Sequence, residues 1–190
     1  MRTTEQHVAT YIRAKDENRP YLLMAAFAPD ITLQMVVKAG SISFPPFSRG
    51  VESVADVLVR RFAQTYENVH TFCLTAPPVN EEVAFSCDWL VGMSEKQTRM
   101  VRVGCGRYDW LFQSHGLRLV ERLTITIELM QSLAPDALLP VMRWLSSLPR
   151  TWCSADVALT SAPALDELKS VRRYVGRDLS RRAPSEGSTQ

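Results

Sequence analysis

Three side chains in this sequence could together move a proton or hold a developing oxyanion: Glu121, Tyr108 and Tyr11. A carboxyl group becomes a useful acid or base when burial raises its pKa, and a phenol beside it can share the proton or donate to a substrate oxygen. The stretch RMVRVGCGRYDWLFQSHGLRLVERLTITIEL, residues 99–129, reads as a long two-stranded β ribbon that turns at Ser114-His115. With that turn Phe112 faces Leu117, Trp110 faces Leu119, Tyr108 faces Glu121 and Gly106 faces Leu123, because cross-strand partners share a face of the pleat. Glu121 is then the one acid on an apolar face. The opposite face carries Arg107, Asp109, Leu111, Arg118, Val120, Arg122, Thr124 and Thr126, which suits water, a partner subunit or ion pairing.

An apolar wall surrounds these groups. Met35, Phe62, Tyr66, Trp89, Trp110 and Phe112 are the side chains expected to line a cavity and bind its occupant. The preceding strand, VAFSCDWLVGM, turns near Glu95-Lys96, which sets Trp89 opposite Arg102, Cys87 opposite Gly104 and Phe85 opposite Gly106, with Trp89 on the face of Tyr108. Gly104 and Gly106 either let the sheet bend or leave room for a ligand against the backbone. Plainer readings stand beside these. A one-residue slip would turn Glu121 to solvent, or Arg102 would neutralise it; buried tyrosines satisfy their hydroxyls on backbone groups; the aromatic residues pack a core without a cavity. His70 and Asp88 are second candidates for proton transfer, and His115 sits in the turn.

The chain of 190 residues, 46% hydrophobic, is long enough for one well-packed domain with something left over. A formal charge of +2, with both signs mixed along the chain, gives no basic face for nucleic acid. Cys73, Cys87, Cys105 and Cys153 form no Cys-x-x-Cys, and His7, His70 and His115 are scattered, so neither a metal site nor a disulfide framework is signalled and no cofactor is expected. Reduced cysteines imply a cytoplasmic home. No apolar run approaches the roughly 18 residues of a membrane span, so no membrane partner is expected.

Thr3 and Gln6 have capping-box spacing for a first helix with Val8, Tyr11 and Ile12 inward, running to about Lys15. A second short helix from Pro20 buries Leu22, Leu23, Ala26 and Phe27 and ends at Pro29-Asp30. A strand ITLQMVV follows, then the Gly, Ser and Pro-rich KAGSISFPPFSRG as a loop, short strand or lid. Three- and four-residue apolar spacing between Val51 and Asn68 predicts an amphipathic helix laid on the sheet, and His70 to Thr75 a strand. Beyond the ribbon, Asp136 can cap a helix through Leu148. A last helix carries Leu165, Leu168, Val175 and Leu179 on one side and Lys169, Arg172, Arg173, Arg177, Arg181 and Arg182 on the other, a solvated face. The expected organisation is a pocket domain over 1–130, a helical extension over 131–182 and a polar, disordered tail over 183–190.

This order is α+β: a curved, mainly antiparallel sheet wrapped around three N-terminal helices as a cone-shaped barrel, with a C-terminal helical extension. It resembles the nuclear transport factor 2-like superfamily, and within it the SnoaL-like polyketide cyclases and ketosteroid isomerases. The residues that carry the likeness are LLMAAFAPDITLQM, GVESVADVLVRRF, GRYDWLF and HGLRLVERL, and it covers roughly Thr3 to Leu129. The resemblance implies a deep apolar pocket, open at one end, in which small hydrophobic molecules are isomerised, dehydrated, cyclised or held. Ketosteroid isomerases place an oxyanion-donating tyrosine where Tyr11 falls, an aspartate base where this chain has Met35, and a second aspartate where it has Tyr108. Met35 can be neither base nor donor, so the familiar isomerase arrangement is broken. The aspartate, arginine, aspartate set of the epoxide hydrolases of the same superfamily fails too, because Ser86 stands where the arginine should precede Asp88.

The sequence therefore supports a SnoaL-like protein that binds a small apolar molecule and could catalyse isomerisation, cyclisation or dehydration by proton transfer, with Glu121 as the shuttle and Tyr11 and Tyr108 on the oxygen. The alternatives are a non-catalytic binding protein with the same cavity, and a dimeric interaction scaffold that pairs through Val101, Val103, Cys105, Leu111 and Val120 and the C-terminal helices. A homodimer is compatible with all three.

Overall fold

The computed structural model describes residues 2–79 and 82–177. Helix α1 (Thr4–Asp16) starts from a capping box: Gln6 N–H donates to the Thr3 hydroxyl at 3.2 Å, and Thr3 N–H donates to the Gln6 side chain at 3.1 Å. This satisfies two of the donors that any helix start leaves free. Its buried stripe holds His7, Val8, Tyr11, Ile12, Ala14 and Lys15.

The second helix is shorter than its sequence suggests. Pro20–Ala25 makes a 3-10 helix, and Phe27, expected on its buried side, instead opens strand β1 (Phe27–Val37). Val120 N–H donates to the Ala26 carbonyl at 2.9 Å, so pairing with a distant strand takes over where the local helical signal is weakest. Strand β2 (Phe47–Arg49) follows the 38–46 segment. Helix α2 (Val51–Ala55), a π-helical stretch (Asp56–Arg60) and α3 (Arg61–Thr65) then form one continuous helical rod.

Strands β3 (Tyr66–Cys73), β4 (Ala84–Glu95), β5 (Val101–Phe112), β6 (Val120–Leu133) and β7 (Thr151–Trp152) complete a seven-stranded sheet of order β2-β1-β6-β5-β4-β3-β7. It is mainly antiparallel, with β1–β6 and β3–β7 parallel, and its two edges do not pair, so the curved sheet stays open. The fold is the expected α+β arrangement.

The ribbon at its centre forms with a different register. The connection spans residues 113–119, with Gln113 N–H donating to the Leu119 carbonyl at 2.9 Å, instead of a two-residue turn at Ser114-His115. Trp110 faces Leu123, and Tyr108 faces Ile125 rather than Glu121. Leu111 pairs with Arg122 while Phe112 pairs with Val120, so Glu121 is the extra residue of a β-bulge. The bulge seats Val120, fully buried, on the inner face and leaves Glu121 exposed. A valine gains from burial there, whereas a carboxylate without a partner would be penalised. The β4–β5 pairing also moves: Trp89 faces Gly106, Cys87 faces Tyr108 and Phe85 faces Trp110. That displacement is an even number of residues, so Trp89 and Tyr108 keep a common face.

The sheet is covered on both sides. The inner face packs on α1 and the α2–α3 rod in one cluster that includes Tyr11, Leu58, Phe62, Trp110 and Phe112. The outer face was expected to be open to water or a partner, but Val101, Val103 and Cys105 are fully buried under this chain's own α4 (Leu138–Ser147), α5 (Ala155–Thr160) and α6 (Lys169–Gly176). Val120 belongs to the inner cluster instead. Trp144 Nε1 donates to the Ala158 carbonyl at 2.8 Å and ties α4 to α5. The proposed tail 183–190, with Leu179, Arg181 and Arg182, lies outside the described residues.

Candidate functional site

Between α1 and the inner face lies a narrow apolar pocket of about 50 Å³. Tyr11 and Lys15, one turn apart on α1, make one wall, because residues at i and i+4 lie on the same helix face. Trp89, Val91 and Met93 of β4, Tyr108 of β5, and Ile125, Ile127 and Met130 of β6 make the floor. Met35 from β1, Leu58 and Phe62 from the helical rod, and Ile42 and Phe44 from the 38–46 segment close the rest. Ile42, Phe44 and Phe62 also border a cleft of about 400 Å³ outside, so they stand between the pocket and solvent. Ser41 Oγ, donating to the Met130 carbonyl at 2.9 Å, holds that segment against β6.

Of the residues picked from sequence, Tyr11, Tyr108, Met35, Phe62 and Trp89 meet at this pocket. Trp110 and Phe112 are buried further along the same face: Trp110 lies edge-on to Tyr11 at 5.2 Å between ring centroids and stacks on Phe112. Tyr66 tilts against Phe62 and lines the outer cleft. Glu121 is not at the pocket. Arg102, considered as its neutralising partner, pairs with Glu95 at 2.7 Å.

Lys15 is the residue that sequence reasoning missed, taking it as the end of the helix. Its ammonium is buried, donating to Asp16 Oδ1 at 2.8 Å and to Thr71 Oγ1 at 2.7 Å, with the Phe62 ring centroid 4.9 Å away. Asp16 also accepts the Thr71 N–H at 2.8 Å and the Thr71 hydroxyl at 2.7 Å. The signal was the four-residue step from Tyr11, which puts Lys15 on the same inward stripe.

The Tyr11 and Tyr108 rings lie edge-on, 5.9 Å between centroids. Burial pushes both phenols above their ordinary range; the neighbouring Tyr11 adds to the rise at Tyr108. Both therefore stay protonated as donors at neutral pH. Trp89 is 3% exposed and its indole N–H has no acceptor.

The two ribbon glycines are filled from within. A Cβ on Gly106 would meet the Thr126 carbonyl oxygen at 1.9 Å and Trp89 Cζ2 at 2.8 Å, and one on Gly104 would meet the Met130 side chain at 2.5 Å. Gly106 also stands at a register shift, where Cys105 pairs with Leu129 and Gly106 with Ile127. Close backbone approach at a bend accounts for it.

His70 lies in a separate polar cleft of about 210 Å³, with Arg13, Asp16, Glu17 and Arg150. Burial and Arg150 hold its pKa below the ordinary imidazole value. Asp88 is on the outer face, accepting from Arg177 at 2.6 Å, and Arg177 lies over the Tyr174 ring at 3.7 Å. It anchors α6. His115 is exposed in the β5–β6 connection. Among the described residues no group of three or more His, Cys, Asp or Glu could hold a metal ion, and no helix is long and apolar enough to cross a membrane.

No family model matches the sequence, and no curated protein matches it. Solved structures do match the fold. A nuclear transport factor 2-like superfamily protein from Salmonella enterica aligns with a TM-score of 0.53 at 13% identity, over 65% of this chain and 87% of its own. An NTF2-like protein from Burkholderia thailandensis aligns at 0.53 and 15% identity, over 67% of this chain and 92% of its own. A hexachlorocyclohexane dehydrochlorinase (LinA) type 2 aligns at 0.53 and 12% identity, over 68% and 86%. This chain has the nuclear transport factor 2-like fold, carrying a helical extension on the outer face of its sheet.

Proposed function

We propose that this protein binds one small apolar molecule in the pocket between α1 and the sheet, and that it holds this molecule rather than transforming it by proton abstraction. The observation that carries the reading is the make-up of the wall. Among the described residues that line the pocket there is no Asp, Glu or His, while Lys15, Trp89 and the two phenols all offer hydrogen-bond donors. Abstraction of a proton next to a carbonyl needs a base within hydrogen-bond reach, and Glu121 is exposed at its bulge and does not line the pocket.

A volume of about 50 Å³ has room for no more than a water or two, whereas pockets for larger organic ligands run to roughly 300 Å³ and above. Entry of a larger molecule therefore requires side chains to move. Met35, Met93 and Met130 are unbranched and adaptable, and Ile42 and Phe44 belong to a segment between strands.

The test is native mass spectrometry of the purified chain, followed by thermal-shift measurements against a library of apolar compounds. A co-purifying molecule or stabilising compound whose effect disappears in Ile125→Phe, a substitution that fills the pocket, is the expected result. If no compound stabilises the protein, or if Ile125→Phe binds as well as wild type, the reading is wrong.

A further inference from the structure

The polar cleft at the end of α1 carries charges that the apolar pocket does not use. It lies between the last turns of α1, strand β3 and the segment that leads into β7, and measures about 210 Å³. Both acids in its wall are already engaged. Asp16 accepts from Lys15 at 2.8 Å, from the Thr71 hydroxyl at 2.7 Å and from the Thr71 N–H at 2.8 Å. Glu17 accepts from the Nε groups of Arg13 and Arg19, each at 3.0 Å.

The cationic side is less fully used. Among the described residues Arg150 pairs with no carboxylate, Arg13 keeps its terminal N–H groups once its Nε is bound, and the His70 ring makes no hydrogen bond. Around the cleft Arg13, Lys15, Arg19 and Arg150 stand against the carboxylates of Asp16 and Glu17, a surplus of two positive charges. A phosphate monoester matches that surplus: it carries close to two negative charges at neutral pH and brings three acceptor oxygens, where a carboxylate brings one charge and two oxygens. A guanidinium fork grips such a group through paired N–H donors. A cation, by contrast, would meet Arg150 and would have to break bonds that Asp16 and Glu17 already make.

The backbone beside Arg150 is strained. Thr151 has a φ of 66°, a left-handed conformation that a β-branched residue rarely adopts. It holds this conformation while pairing with Phe72 of β3, so the chain bends between Arg150, in the cleft, and Trp152, in the sheet beside Cys73. Ile12 and Phe72 give the same cleft an apolar side.

We propose that this cleft binds a small phosphate monoester, with Arg150, Arg13 and His70 donating to the phosphate and Ile12 and Phe72 against the organic part. Arg150 and Thr151 come from the helical extension, so the site is built by both parts of the chain. It is separate from the apolar pocket: Lys15 lines the pocket, whereas Asp16 and Thr71 line the cleft.

Isothermal titration of the full chain with phenyl phosphate, inorganic phosphate and benzoate at neutral pH tests the proposal. Phenyl phosphate should bind most tightly, and inorganic phosphate should compete with it. Arg150→Gln, at an exposed residue, should weaken phenyl phosphate about tenfold or more, whereas Arg173→Gln, which removes the same charge from an exposed position on α6, should leave it unchanged. A bound phosphate also adds a negative charge beside His70, which otherwise faces Arg13, Asp16 and Glu17 from α1 and Arg150 from the segment before β7. The imidazole proton resonance of His70, assigned by its loss in His70→Gln, should therefore titrate at higher pH in saturating phenyl phosphate. No binding of phenyl phosphate, either rival anion bound as tightly, equal losses in Arg150→Gln and Arg173→Gln, or an unmoved His70 titration would each overturn the assignment, and none of these results bears on the apolar pocket.

Discussion

Lys15 and Asp16 are consecutive residues at the end of α1, yet their side chains meet at 2.8 Å with both nearly excluded from water. Neighbours i and i+1 on a helix point about a quarter-turn apart, so this meeting needs a third group. Thr71 of β3 supplies it, giving its N–H and hydroxyl to the Asp16 carboxylate and accepting from Lys15. The helix end, the sheet and the pocket wall are thus joined through one hydrogen-bonded cluster.

Asp16→Ala leaves the Lys15 ammonium buried with one partner, and it also strands the Thr71 N–H. Loss of one member of a buried pair costs about 3–5 kcal/mol. The double change Lys15→Met with Asp16→Asn removes both charges and keeps a side-chain oxygen for Thr71, so it should fall within about 1 kcal/mol of wild type or above it. Urea denaturation of the three proteins checks this. An Asp16→Ala chain as stable as wild type would mean that the ammonium finds water in solution.

Gly106 is the position where the sheet least tolerates a side chain. A methyl group would sit 1.9 Å from the Thr126 carbonyl oxygen, a backbone atom, and 2.8 Å from the Trp89 ring. Relief requires β5 and β6 to separate at the register shift, and Gly106→Ala is expected to cost about 2–4 kcal/mol. Trp89 fluorescence should redden in the same variant as the ring loses its seat. A chain with unchanged stability and emission would show that the strands are not so close in solution.

What the sequence disclosed and what it hid follow from the range of each interaction. The α1 cap, the apolar stripe of that helix and the alternation along the ribbon are local, and Thr3, Tyr11, Trp89 and Tyr108 stand where pattern alone puts them. The misplacement of Glu121 came from the turn: a two-residue loop at Ser114-His115 and a seven-residue loop are both compatible with alternating strands. Only the chance to bury Val120 against Phe112 decides for the bulge. Lys15 was hidden because a lysine at a helix end reads as solvated, and its partner Thr71 lies 56 residues away. The covered outer face was hidden because Val101, Val103 and Cys105 carry no mark of whether their cover comes from the same chain or another.

The C-terminal helices give that last point a direct test. A chain ending at residue 133 would lose the cover over Phe72, Leu90, Val101, Val103 and Cys105, which the full chain excludes from solvent. An exposed apolar sheet face of this kind drives association. The truncated chain should aggregate or self-associate by light scattering where the full chain does not change state at equal concentration. Within the full chain, Asp88→Ala removes the acceptor that Arg177 uses at 2.6 Å. Because Arg177 is partly exposed, the cost should be modest, about 1 kcal/mol, with hydrogen exchange accelerating first in α6. Slow, unaltered exchange there would mean that Val171 and Val175 hold the helix without the ion pair.

Acid should weaken the protein through the buried His7 and the half-buried His70. His7 is 1% exposed, its Nε2 lies 3.2 Å from the Leu117 carbonyl, and its Nδ1 has no partner. Burial is the main cause holding its pKa below the ordinary value, and it does the same for His70. The sign follows from proton uptake. A histidine whose folded pKa lies below its unfolded pKa of about 6.5 binds more protons when unfolded, so stability is complete above that pH and falls as pH drops toward the folded value. Melting temperature should therefore decline as pH is lowered from about 6.5. His7→Phe, which keeps the volume and cannot charge, should flatten part of this decline while giving up the tie to the 113–119 connection. If its melting temperature tracks wild type at every pH, His7 does not contribute to the acid sensitivity.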